Sequence, residues 1–122
     1  MDVIDTHQRF WHYDPRHLPW INDTMASLKG DHLPKKVWPE MQANGVTAGI
    51  AVQAQSRAEE TDQLLTWASV NPSVCGVVGW VDLTLPDIDS ALAKWLEHPK
   101  LKGFRHILQD ERDVGAFIAQ PA

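Results

Sequence analysis

Apolar and polar positions along this chain fall into two alternating kinds of run. Short, nearly unbroken apolar stretches occupy 46–54 (VTAGIAVQA), 74–83 (VCGVVGWVDL) and 101–108 (LKGFRHIL), and a first one opens at Val3-Ile4. Runs of this length and β-branched content predict strands, and continuous apolar character predicts parallel strands covered on both faces. Between them the apolar positions recur with a helical period. Thr61, Leu64, Leu65 and Ala68 form one predicted inner stripe; Ile88, Ala91, Leu92, Trp95 and Leu96 form another.

Turn residues set the expected boundaries. An earlier helix is predicted weakly from Pro34 and more firmly from Pro39, because proline is tolerated in a first helical turn. It should stop at Asn44-Gly45, where glycine can turn left-handed. Ser56-Arg57-Ala58-Glu59 predicts a capping box ahead of the next helix, which Asn71-Pro72 ends. Pro99 closes the third, and a last helix is expected from about Asp113, carrying Val114, Phe117 and Ile118 and breaking off at Pro121-Ala122. The order is β-loop-α-β-α-β-α-β-α, four βα units in a single domain over 1–122. Strands separated by helices imply an α/β fold with a parallel sheet and right-handed crossovers.

Polar groups sit where the strands end. On the first strand Val3, Asp5, His7 and Arg9 alternate onto one side. Gln53 ends the second, Trp80 and Asp82 the third, and Arg105 and His106 the fourth. A parallel sheet gathers all four sets on one rim, where such folds build ligand sites. Each has a bland alternative: Arg9 paired with Asp5 or Asp14, Gln53 capping a strand, Asp82 capping a helix, His106 a satisfied core imidazole. Recurrence at four successive strand ends is what favours a site. The segment 11–32 is long for a connection, which suggests a lid or binding loop. The alternative is that its aromatics, Trp11, Tyr13 and Trp20, merely pack down on the fold. Trp38, Trp67 and Trp95 fall on predicted helices, whereas Trp11, Trp20 and Trp80 fall on the side of the rim.

Composition narrows the function classes. The 122 residues are 43% apolar and 22% charged, ordinary for a globular protein. A net charge of -5 with no Lys/Arg cluster speaks against a nucleic-acid partner. No run approaches the roughly 20 apolar residues that cross a bilayer, so no membrane span is expected. Nothing at the N-terminus resembles a secretion signal, and the lone Cys75 suits inert packing in a reducing, cytoplasmic setting.

Five stretches in order, IDTHQRFW (4–11), YDP (13–15), AVQA (51–54), GVVGWVDL (76–83) and KGFRHILQDE (102–111), resemble the amidohydrolase-related lactonase family. These are sugar-lactone hydrolases of the fuconolactone and rhamnonolactone kind. The resemblance implies the N-terminal half of a (β/α)8 TIM barrel, a fold of about 250 residues when whole. It implies hydrolysis of a lactone ester by an activated water. By that resemblance His7 and His106 would be catalytic, with Gln53, Trp80 and Arg105 binding substrate. Arg9, which departs from the family, is read from its own chemistry as helping Arg105 to bind an anionic or hydroxyl-rich substrate, since a guanidinium suits carboxylates. The general base, an aspartate after the last strand, has no counterpart here.

The intact family enzyme would also be expected to use a divalent metal such as zinc, held by a His-x-His at the end of strand one. His7 matches the first position; Arg9 stands at the second, and a permanently charged guanidinium is no metal ligand. No metal at His7 is therefore expected in this chain. The isolated chain is expected to be inactive, and to form a homo-oligomer through its open sheet edges. The competing reading is a small non-catalytic α/β binding or assembly module.

Overall fold

Four strands pair in chain order, each parallel to the one before: β1 (Ile4–Gln8), β2 (Ala48–Val52), β3 (Val74–Gly79) and β4 (Leu101–Phe104). The computed structural model describes residues 1–121; Ala122, the last residue of the expected C-terminal break, lies outside them. Every strand after the first is preceded by a helix: α1 (Pro34–Ala43), α2 (Ala58–Val70) and α3 (Ile88–Ala93); α4 (Val114–Ile118) follows β4. The unit order is the one the periodicities predicted.

The helices cover one face of the sheet. A single core joins Ala51, Val77 and Leu101 from the strands to Val37 of α1, to Leu64, Leu65 and Ala68 of α2, and to Ile88 and Leu92 of α3. The expectation of strands covered on both faces is corrected here. Along β2 burial alternates as far as Ala51, with Gly49 and Ala51 buried and Ala48 and Ile50 only half-buried, and the second face closes over only at Val52, next to the rim. Residues 4–7 of β1, at the sheet edge, are exposed, although the strand was expected to be apolar and buried. No helix among the described residues is long and apolar enough to cross a membrane.

Three local expectations also change. Helix α1 starts at Pro34 and runs straight through Pro39, which gives up one backbone bond on an exposed turn instead of starting the helix. Its end is as expected: Gly45 has φ 74°, Gly45 N–H donates to Gln42 O and Val46 N–H to Met41 O, the paired bonds of a Schellman stop. The capping box does not form. Helix α2 begins after Arg57 with no side-chain cap, and Glu60 reaches back instead to the amides of Ala54 and Gln55. The third helix ends at Ala93, so Trp95 lies beyond it in a turn and Leu96 is 68% exposed. What breaks the stripe is Trp95 itself. Its indole N–H donates to Asp62 Oδ1 at 2.7 Å and its ring packs on Phe104, drawing the chain inwards.

The segment 11–32 is pinned. Trp11 and His32 exchange both backbone bonds at 2.9 Å, Trp11 Nε1 donates to Gly30 O, and Asp31 accepts from Tyr13 N–H. Between these ties lies a 3-10 turn, Asp23–Leu28. Trp11, Leu18, Ile21 and Ala54 form a second small core beneath it. The aromatics do pack down, as the bland reading had it, yet Trp20 also reaches the rim.

Candidate functional site at the strand ends

The four strand ends gather on one rim, but their side chains form two groups, not one. Arg105 and His106 are neighbours in sequence, and neighbours on extended chain point to opposite sides. Arg105 Nε donates to Gln53 Oε1 at 2.7 Å. Gln53 is fully buried, and its own amide N–H donates to Gln55 O at 3.0 Å, which fixes which end of the amide faces Arg105. A bond from the fourth strand end to the second thus spans two neighbouring strand intervals and curls the rim inwards.

Arg9 completes the first group. Its guanidinium carbon lies 5.4 Å from the ring centre of Trp20, within cation–π range. It makes no ion pair with Asp5 or Asp14, contrary to the bland reading. Asp5 accepts from the backbone N–H of His7, and Asp14 is paired with Arg16 at 2.7 Å. Arg9 Nε faces His7 Nε2 at 3.4 Å, a long and weak contact in which the imidazole accepts. Burial, and then the charge of Arg105, both weigh against the charged form of Arg9. Burial, followed by the charges of Arg9 and Arg105, likewise pushes His7 below the usual imidazole value. A cleft of about 260 Å³ opens between Arg9, Trp20, Arg105, Ile107, Gln109 and Asp110, so the ends of the first and last strands share one opening.

The second group is built around His106. Trp80 Nε1 donates to His106 Nδ1 at 3.1 Å, so the ring proton sits on Nε2, which donates to Glu111 Oε1 at 2.6 Å. Phe117 of α4 stacks on the imidazole with ring centres 4.2 Å apart. Both ring nitrogens are therefore engaged within the chain. Asp82, beside them, caps a turn by accepting from Thr84 and not the following helix.

Glu60 is the functional candidate that the sequence reading passed over. It is 5% exposed, accepts from Ala54 N–H with both oxygens and from Gln55 N–H, and burial pushes its carboxyl up to about 7 against those bonds. It also lines a groove of about 370 Å³ between the 11–32 segment and α2, with Trp11, His12, Tyr13, His17 and Arg57 among its neighbours. The available signal was its place one turn into a helix that follows a strand end. The capping box drew attention to Glu59 instead.

Comparison with known proteins places these residues in a family. The model of the amidohydrolase family matches residues 4–115. A protein of Burkholderia multivorans named L-fucono-1,5-lactonase is 45% identical over 115 residues, covering 94% of this chain and 38% of that protein. One of the same name from Burkholderia ambifaria is 36% identical over 110 residues, 90% of this chain and again 38% of the relative. Crystal structures of a Burkholderia multivorans amidohydrolase, one with bound zinc and one with bound HEPES, superpose with TM-scores of 0.89 and 0.90 at 44% identity. Each superposition covers 97% of this chain and 41% of the other. The chain thus spans well under half the length of the relatives it matches, and its parallel βα units correspond to the N-terminal half of their barrel.

The residues at strand one do not fit a zinc ion. A protein zinc site takes at least three ligands. Here His7 Nε2 is covered by a guanidinium, Asp5 is turned to the backbone, and no group of three His, Cys, Asp or Glu side chains among the described residues is placed to hold a metal. With the family model matching nearly the whole chain, and two relatives more than a third identical along it, the chain belongs to the amidohydrolase family.

Proposed function

We propose that this chain forms the first half of a barrel that hydrolyses a sugar lactone, the activity named for its Burkholderia relatives. The observation that carries the reading is 45% identity over 94% of the chain to an L-fucono-1,5-lactonase. In lactone hydrolysis a water adds to the ring carbonyl, negative charge gathers on the carbonyl oxygen, and the ring oxygen leaves with a proton. Arg105, held by Gln53, and Arg9, held against Trp20, are the substrate-facing cations in this proposal. His7, with its charged form disfavoured and Nε2 facing Arg9, would donate its Nδ1–H to water or to a substrate hydroxyl. Trp80 would form part of the wall. His106 would act by fixing Trp80, or as a base at Nδ1 once that nitrogen is released from the Trp80 indole. The general base is assigned to the part of the relatives that lies beyond the matched region.

A second reading has one observation in its favour. Both nitrogens of His106 are engaged inside the chain, so the rim offers cations but no free base, as a binding module would. A chimera separates the two. This chain would be joined to the portion of the Burkholderia multivorans relative that follows the matched region, and assayed on L-fucono-1,5-lactone. The expected result is no turnover from the chain alone, turnover from the chimera, and a loss of tenfold or more with Arg105→Ala. A folded chimera without turnover would favour the binding module. Turnover by the chain alone, abolished by His106→Ala, would mean that the site is complete without a second half.

A further inference from the structure

Carboxylates outnumber basic side chains in this protein, 16 Asp and Glu against 11 Lys and Arg. Several exposed cations find acidic partners: Arg16 pairs with Asp14, Lys29 with Asp23, and Lys94 with Asp62. Yet the two half-buried arginines of the rim, Arg9 and Arg105, make no ion pair among the described residues, although each would gain more from one than a solvated side chain does. Each gives only its Nε to a hydrogen bond within the protein, Arg105 to Gln53 and Arg9 weakly to His7, while the Arg9 guanidinium also lies over Trp20. Their terminal nitrogens, the fork that suits a carboxylate, have no hydrogen-bond partner among the described residues. Two like charges sharing one small cleft repel each other, and a bound anion would relieve that.

We infer that Arg9 and Arg105 form one anion site at the rim, built for the single carboxylate of a hydroxy acid, with the Arg9 guanidinium standing where the resemblance puts a metal-ligating imidazole. Charge selects a monoanion: two guanidinium groups and Asp110 line the cleft, leaving one net positive charge. A phosphate dianion would meet Asp110 with no third cation to balance it. Size agrees, because about 260 Å³ lies below the roughly 300 Å³ at which sites for drug-sized ligands begin. The Gln109 amide, which also lines the cleft, can meet the hydroxyls of a polyhydroxylated chain. If the lactonase reading holds, this carboxylate is the one that ring opening creates. The site would then hold product as well as orient substrate.

Calorimetric titration of the 122-residue chain with sodium D-gluconate, its neutral analogue D-glucitol, and inorganic phosphate tests the inference directly. Gluconate should bind at least tenfold more tightly than glucitol and more tightly than phosphate, and its affinity should fall as sodium chloride is raised. Arg9→Gln and Arg105→Gln should each cost tenfold or more, and Arg9→Lys, which keeps the charge but loses the fork, should cost less. Equal binding of gluconate and glucitol, no binding of either, or unaltered binding by both glutamine variants would overturn the anion site. Phosphate bound as tightly as gluconate would overturn the carboxylate assignment. If a variant fails to fold by circular dichroism, the salt-dependent preference of the unaltered chain decides alone. The chimera assay reads the lactonase proposal separately, since gluconate can bind without turnover and turnover can occur without gluconate binding.

Discussion

Glu60 is the residue at which fold and electrostatics are most tightly joined. Burial raises its carboxyl from 4.5 to about 7, while the amides of Ala54 and Gln55 and the charges of Arg9 and Arg57 pull the other way. Its folded value lies above its unfolded one. The associated stability is therefore fully present below pH 4.5 and drains away as the pH rises towards 7. The gap is worth about 3 kcal/mol at most. Urea melts should therefore show the chain about 2 kcal/mol less stable at pH 8 than at pH 5, with Glu60→Gln removing most of the difference. Glutamine keeps one oxygen for the two amides and cannot ionise. A variant whose pH dependence matched that of the unaltered chain would show that Glu60 is not the titrating group. The same residue shows what a linear reading loses. Ser56 and Glu59 have the right spacing for a cap, but the strand end turns so that the amides of Ala54 and Gln55 point at Glu60. Likewise His7 and Arg105 were identifiable as residue types at strand ends, whereas the partition of Arg105 towards Gln53 and of His106 towards Trp80 depends on tertiary contacts.

Strands and helices were read more successfully than their ends, for a physical reason. Apolar period reports which face an element buries, and the inner stripe of α2, with Thr61, Leu64, Leu65 and Ala68 all buried, is as the period predicted. Boundaries depend on single contacts that the period does not carry, such as the Trp95–Asp62 bond that ends the α3 stripe early. The seam between α2 and β3 turns on one such contact. Thr61 Oγ1 donates to Trp80 O at 2.7 Å and accepts from Trp80 N–H at 2.8 Å, so a buried hydroxyl continues the β3 backbone where its strand bonds stop. Gly79 allows this approach, because a Cβ there would meet Thr61 Oγ1 at 2.6 Å and Cγ2 at 2.7 Å. Gly79→Ala should therefore cost about 1–3 kcal/mol and shift Trp80 away from His106. Thermal melts together with the near-ultraviolet tryptophan signal would check it; an unchanged melting temperature would mean that the seam yields without loss.

Taken whole, the molecule buries one face of its sheet and leaves an edge open. The apolar runs of β2 and β3 look in sequence like strands covered twice over, as they would in a closed barrel. Here the helix side is covered and the other face only near the rim, at Val52, so the sequence pattern anticipates more contacts than this chain makes with itself. Residues 4–7 of β1 are exposed, Val3 and Ile4 are 45% and 50% exposed, and only β2 pairs with this strand. An unpaired edge beside apolar side chains is a template for another chain. We propose that copies of the chain associate through this edge and the uncovered sheet face. Light scattering at high micromolar concentration should then give a mass of at least twice 13.7 kDa. Replacing Ile4 with lysine places a charge on the edge, a device by which natural sheets avoid such pairing, and should shift the population towards monomer. Joining the chain to the second half of its Burkholderia relative should do the same by covering the face. A monodisperse monomer from the unaltered chain at that concentration would refute the association, and would mean that the exposed edge is tolerated in solution as it stands.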